Sequence, residues 1–387
     1  MAFLVRSILT PRFCLVSRYS LYTTPSISYS KDEISSYFSR QNKNVFTAST
    51  KRPSDSFISI CLPLSTEESS REVYVTTTGG MRIGRLLEDL NSLAGEVAYK
   101  HSDGFNQDRP LTILTATVDK ITLIRDISIL NDLKLQGRVV HVGTTSMSVK
   151  VEAYTNEGNE WKLVVDATFV MVARDKYEEK SVPVHKVQPT NKEEQDWFDQ
   201  CLHSRKSKQK DLKMSTEEST HVHDLFLELE RYRDAKDNVA AGEHIGSYRT
   251  IKSTTNTDPV IMHPQLSSIN NKIMAGYITR LAYELAWITA YKYGKERPSF
   301  VSLEDNSFTS PIAIGDVVNF TANVVYTQDN FCHVRVSTDV IQPPIDSKKL
   351  TNVFHFQFKF ETKPEVVVPE TYDDVTMYLE GRRNHYD

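Results

Sequence analysis

Two glycines stand at the start of two long helical patterns. Gly84 lies in TTTGGMRIGRLLEDLNSLAGEVAY (76–99) and Gly276 in NNKIMAGYITRLAYELAWITAY (270–291). The N–H groups and dipole of a helix start can hold an oxyanion or polarise a carbonyl oxygen. A glycine there lets another group come close to the backbone. It equally lets the helix pack tightly on a sheet, and the glycines alone leave both readings open. Asn91 is the sharper oddity. It falls on the stripe Leu87, Asn91, Ala94, Ala98, so an amide points at apolar neighbours. A buried amide needs partners. It is either a satisfied structural group or a site residue. Asp89, two residues earlier, points elsewhere on the helix and is expected to face solvent beside Glu88.

Other chemistry is missing from the sequence. There is no phosphate-binding P-loop, no GxGxxG after a strand, no GxSxG turn and no HExxH. His221 and His223 with Asp224 resemble a metal cluster only superficially, because side chains two apart on a helix diverge. Cys332 lies in a strand pattern and reads as a small core residue. None of the four cysteines, Cys14, Cys61, Cys201 and Cys332, pairs as CxxC, so neither a disulfide scaffold nor a zinc ribbon is indicated. No metal is expected at these residues.

The elements that position Gly84, Asn91 and Gly276 come in two sets. AGEVAYK (94–100) matches AWITAYK (286–292) at an offset of 192, and Arg109-Pro110 answers Arg297-Pro298 after each helix. The offset then settles near 185, aligning SVKVEAY (148–154) with HVRVSTD (333–339) and DATFVMV (166–172) with TNVFHFQ (351–357). Four matches in one order argue for a diverged duplication. In the first half a strand over 57–64 precedes a helix from about Met81 to His101. That helix carries Leu86, Leu90, Leu93, Ala94 and Val97 as one buried stripe. Alternating strands follow. Met147, Val149, Val151 and Ala153 face one way, and Ser148, Lys150, Glu152 and Tyr154 the other. The second half repeats this with a helix from about Asn271 to Tyr293 and a strand VFHFQFKF (353–360), whose phenylalanines share one face. Strands after a helix, without βαβ alternation, give an α+β fold with antiparallel sheet. Between the halves, Thr190 and Glu193 predict a capping box for a helix through EEQDWFDQCLHS. The RKSKQK run (205–210) reads as a solvated face.

Composition sets the outer bounds. The chain has 387 residues, 39% hydrophobic and 25% charged, with a formal charge of −4. No basic domain suggests a nucleic-acid partner. No apolar run approaches the ~18 residues of a membrane span. Residues 1–30 hold Arg6, Arg12 and Arg18, many Ser and Thr, and no acid before Asp32. On a helix Phe3, Leu4, Ile8 and Leu9 fall on one side. This is the pattern of a mitochondrial presequence. Its removal would take three positive charges away and leave the remaining chain at −7. The expected division is a presequence (1–30), a first folded unit (50–176), a linker with a connecting helix (177–240), a second unit (241–370) and a C-terminal tail (371–387).

RIGRLLEDLNSLAGEVAY (82–99), GTTSMSVKVEAY (143–154), DATFVMVARD (166–175), NNKIMAGYITRLAYELAW (270–287) and LTNVFHFQFKF (350–360) resemble the mitochondrial acyl-coenzyme A thioesterase 9 family. The resemblance runs from about residue 50 to the C-terminus. It implies two tandem hotdog domains, each a long helix wrapped by an antiparallel sheet, joined as an intramolecular pseudo-dimer. It implies hydrolysis of fatty acyl-CoA to fatty acid and coenzyme A in the mitochondrial matrix, without a cofactor. It also implies homo-oligomers, as trimers of double-hotdog units. In such relatives a helix carboxylate from one half acts on the thioester, and an Asn in the loop before the other helix positions substrate or water. Backbone N–H at the helix start polarises the carbonyl.

The present chain departs from that pattern. Counting from Gly84, the carboxylate position is Asn91, and counting back from Gly276, the loop Asn position is Ser268. Asn270 and Asn271 are neighbours that could substitute. Asp89 could supply the base only if the helix were rotated or the alignment slipped by two. In the second half the carboxylate-equivalent is Tyr283, with Glu284 beside it. Three functions follow: a mitochondrial acyl-CoA hydrolase, either slow or using Asp89 or Glu284, a catalytically silent acyl-CoA-binding protein, or a structural subunit of a larger mitochondrial assembly. Arg109, Lys120, Lys292 and Arg297 lie near helix ends where coenzyme A phosphates need cations, and none stands out.

Overall fold

A computed structural model describes residues 49–104, 110–158, 160–178, 180–208, 220, 223, 224, 227, 248–266, 272–342 and 347–385. The presequence, Arg109, His221, Ser268, Asn270 and Asn271 lie outside them. The inward faces of ten strands supply most of the core. In chain order they are β1 (Ile58–Leu62), β2 (Leu111–Leu123), β3 (Leu133–Val142), β4 (Ser146–Glu157), β5 (Glu160–Asp175), β6 (Asn256–Ile261), β7 (Ser299–Phe308), β8 (Val317–Gln328), β9 (Phe331–Gln342) and β10 (Ser347–Lys359). They form one antiparallel sheet in the order β1-β3-β4-β5-β2-β7-β10-β9-β8-β6. The first five strands are repeated in reverse spatial order by the last five. The expected duplication is therefore a two-fold arrangement, and β2 and β7 are its seam.

One long helix packs on the inner face of each half, α1 (Ile83–Ser102) and α3 (Ala275–Gly294). Leu86, Leu90, Leu93, Ala94 and Val97 of α1 are all at most 1% exposed. Each such leucine contributes about 2 kcal/mol by leaving water. Met147, Val149, Val151 and Ala153 of β4 meet this helix face at 0% exposure. In the second half Phe354, Phe356 and Phe358 do the same under α3. Both helices end on a residue in the left-handed region, Asp103 (φ 53°) and Lys295 (φ 59°). The two halves are thus the hotdog units of the expected α+β fold.

The outer face of the sheet is also covered. In the first half α2 (Lys192–Lys208) lays Trp197 over Arg138 of β3, with 4.4 Å from guanidinium to ring centroid. In the second half α4 (Tyr372–Arg383) docks on β8 and β9. Just past it His385 Nδ1 lies 2.9 Å from His333 Nε2. Polar residues on the outward register, Ser148, Glu152, His333 and Gln357, are consequently buried. The cap of α2 is one residue later than the Thr190–Glu193 pattern predicts. Asn191 Oδ1 accepts from the Glu194 N–H at 2.9 Å, and the Glu194 carboxylate accepts from the Thr190 N–H at 2.7 Å.

Candidate functional site

α1 and α3 cross with the first turn of each against the middle of the other. A methyl placed on Gly276 would sit 2.9 Å from the Glu88 carbonyl oxygen and 3.1 Å from Asn91 Cβ. One placed on Gly84 would sit 3.1 Å from both Arg280 Cγ and Tyr283 Cδ1. Glu88 and Asn91 map onto Arg280 and Tyr283 by the same offset of 192 that relates the glycines. The crossing therefore has two equivalent junctions, each built from both halves, and their chemistry differs.

The Gly276 junction is polar. Asn91 is 7% exposed and faces the seam strand β2. Its amide and the Thr115 hydroxyl are in hydrogen-bond contact, Nδ2 to Oγ1 at 3.2 Å and Oγ1 to Oδ1 at 3.3 Å. Thr115 shares the inner face because it pairs with Met171, a core residue. The Tyr277 N–H turns back to the Met274 carbonyl at 3.1 Å, which leaves the N–H groups of Ala275 and Gly276 as the donors that the start of α3 presents beside Asn91.

The Gly84 junction is filled. Tyr283 is 8% exposed and stands edge-on to Phe300 (5.5 Å) and Phe356 (5.9 Å). Burial pushes its phenol well above the usual tyrosine range, with Glu284 adding to the shift.

An ion-pair chain links the junctions on the side away from the sheet. Arg280 Nη1 lies 2.8 Å from Glu88 Oε2, joining the two halves, and Arg85 reaches the same oxygen at 3.3 Å. Arg85 also holds Asp89 at 2.8 Å. The second oxygen of Asp89 accepts from Tyr74 at 2.5 Å. Asp89 is only 2% exposed, against the expectation that it faces solvent. The cause is the short helix Glu68–Tyr74, which lies over α1 and seats Tyr74 on that carboxylate. Burial pushes the Asp89 carboxyl up to about 6, opposed by Arg85 and Tyr74 and reinforced by Glu88.

Neither alternative carboxylate shares Asn91's direction. Asp89 sits about 200° round the helix from Asn91, and both its oxygens are engaged. Glu284 is partly exposed and pairs with Arg82 at 3.4 Å, at the start of α1 and hence at the Gly84 junction. Asn91, Gly276 and Thr115 are thus brought together, while Asp89 and Glu284 are not. Thr115, Glu88 and Arg280 carried no local sequence signal beyond the inward position of Thr115. Of the candidate cations, Lys120 pairs with Glu304 at 3.1 Å and Lys292 donates to Asn256 Oδ1 at 2.5 Å. Arg297 is exposed. Among the described residues no group of three or more metal-ligating side chains assembles, His223 and Asp224 included.

Comparison with known proteins agrees with this architecture. A family model described as "Thioesterase superfamily" matches residues 84–162. Human mitochondrial acyl-coenzyme A thioesterase 9 is 37% identical over 344 residues, covering 86% of this chain and 78% of the relative. Mouse mitochondrial acyl-coenzyme A thioesterase 10 is 36% identical over 343 residues, covering 85% and 77%. The chloroplastic acyl-coenzyme A thioesterase 2 of Humulus lupulus is 31% identical over 353 residues, covering 86% and 80%. With identity of this order across most of both sequences, the chain belongs to the acyl-coenzyme A thioesterase 9 family of double-hotdog proteins.

Proposed function

We propose that the protein hydrolyses acyl-CoA thioesters in the mitochondrial matrix, at the Gly276 junction, releasing fatty acid and coenzyme A. The observation that carries the site is the meeting of Asn91 with the start of α3 at Gly276. The thioester carbonyl oxygen would lie at the N–H groups of that first turn, where developing negative charge is stabilised. A water oxygen would attack the carbonyl carbon. The C–S bond then breaks, its electron pair leaves with the thiolate, and a proton from the water ends on sulfur or in solvent. The Asn91 amide and the Thr115 hydroxyl would hold that water. An amide accepts no proton at neutral pH, so deprotonation falls to hydroxide or solvent. Ser268, at the position that holds substrate or water in such relatives, would take that role here, with Asn270 and Asn271 as its substitutes. The division into units at 50–176 and 241–370 and the trimer of double-hotdog units are part of this proposal.

A second reading is supported by the Asp89 geometry. With Asn91 in place of a base and Asp89 locked to Arg85 and Tyr74, the chain would bind acyl-CoA without turning it over. Coenzyme A release by the purified chain, over short to long acyl-CoAs, separates the two. Turnover above buffer supports hydrolysis. Stoichiometric binding without release supports the silent protein.

A further inference from the structure

Asn306 on β7 is 0% exposed, yet among the described residues neither its Oδ1 nor its Nδ2 has a hydrogen-bond partner. Buried amides are almost always satisfied, so an unpaired one marks a place where a water or a ligand group can bind. The strand register fixes which way it points. Asn306 pairs with Val118 of β2, and Val118 pairs on its other side with Phe169. Val118 and Phe169 are core residues at 0% and 1% exposure. Two residues before Asn306, Glu304 pairs with Lys120 and reaches its ammonium across the outer face. The direction reverses between them because both seam strands slip register against their outer neighbours, β2 between Val118 and Lys120 and β7 between Glu304 and Ser307. The two slips turn an amide into the core at the seam of the halves.

Along β2 the next inward side chain after Val118 is Thr115, the partner of Asn91. Asn306, opposite Val118, is thus the diagonal neighbour of Thr115. Diagonal residues on one sheet face stand about 7–8 Å apart, a gap that one small polar group can span. Asn91, Thr115 and Asn306 form a polar floor on an inner face whose buried Thr338 and Asn352 are bonded to each other.

We propose that Asn306 is a further binding residue of the Gly276 cleft, holding a hydroxyl group between its open amide and the Asn91–Thr115 pair. An amide with donor and acceptor both open matches a hydroxyl, which is also both. The hydroxyl belongs either to the attacking water or to a substituent on the acyl chain. The inference rests on the assignment of the thioester to this junction.

The test measures coenzyme A release by the full chain, Asn306→Leu and Asn306→Val, with butyryl-CoA and 3-hydroxybutyryl-CoA, alongside thermal unfolding. A fall in kcat of tenfold or more for both substrates, with KM within twofold and Tm unchanged or raised, identifies the water. A tenfold loss of kcat/KM confined to the hydroxylated substrate identifies the acyl hydroxyl. Kinetics within twofold of the parent for both substrates overturn the proposal, because a merely structural amide moves only Tm. If both apolar variants fail to fold, Asn306→Ser is read by the same criteria. If the parent is silent, the series is run on Asn91→Asp. If that chain also releases no coenzyme A, the assignment of the cleft fails and this inference falls with it.

Discussion

Gly276 of one half and Asn91 of the other meet so closely that a single added methyl would lie 3.1 Å from Asn91 Cβ and 2.9 Å from the Glu88 carbonyl oxygen. The neighbour it would strike is helix backbone, which cannot swing aside. Gly276→Ala is therefore expected to cost about 1–3 kcal/mol and to spread the helix starts apart. Chemical unfolding reads the first effect. A fall in coenzyme A release per folded molecule reads the second.

Asn91→Asp supplies a group that can take a proton, within reach of Thr115. Positioned general bases contribute about 10²–10⁴-fold, and kcat is expected to rise by that order. The pH profile separates the chemistry further. Without a base the parent's rate should climb about tenfold per pH unit, following hydroxide. The Asn91→Asp variant should instead reach a plateau above the new carboxyl's pKa. Parallel profiles would show that the side chain at this position takes no proton.

Asp89 makes stability depend on pH in an uncommon direction for a carboxylate. Burial holds its folded pKa at about 6 against an ordinary value of 3.8, so the folded chain favours the protonated form. The associated stability is fully present below about pH 3.8 and is lost as pH rises through about 6. A shift of about two units corresponds to about 3 kcal/mol. The stability of the parent relative to Asp89→Asn should fall by that order from pH 4 to 7 in urea titrations. A constant difference would show that Tyr74 and Arg85 cancel the burial.

His333 acts in the opposite sense. Burial, reinforced by the neighbouring His385 and His355, lowers its folded pKa to about 3. The neutral ring's contribution is present above the unfolded value of about 6.5 and is lost as pH falls from there towards 3. Because His333 contacts His385 at the end of α4, acid should loosen that helix first. Hydrogen-exchange protection at 372–383, corrected for the pH dependence of the intrinsic rate, should fall between pH 7 and 5 in the parent and change less in His333→Gln.

Periodicity made the scaffold legible. The stripe from Leu86 to Val97 and the alternation of Phe354, Phe356 and Phe358 each report one local face, and both repeat at a near-constant offset. The Asn91 oddity was readable for the same reason. What could not be read came from partners distant in sequence. Asp89 looked solvated because nothing in α1 announces that Glu68–Tyr74 lies over it. Arg280 and Glu88 meet across 192 residues. Asn306 was hidden by the register slips, since a strict two-residue alternation puts it on the face of Glu304. The α2 cap was misplaced by one residue because Thr190 and Asn191 are both competent cap residues, and only the bond to the Glu194 N–H decides between them.

The joining of both halves in one polypeptide has a consequence for how the sites can change over time. In a symmetric homodimer every substitution arrives twice, so a residue that spoils one junction spoils its mate. Here Asn91 and Tyr283 vary separately. An aromatic plug could settle at the Gly84 junction, where Tyr283 packs on Phe300, without touching the polar floor at the other. The same independence lets a single replacement at Asn91 alter one junction while the second goes on serving as structural core.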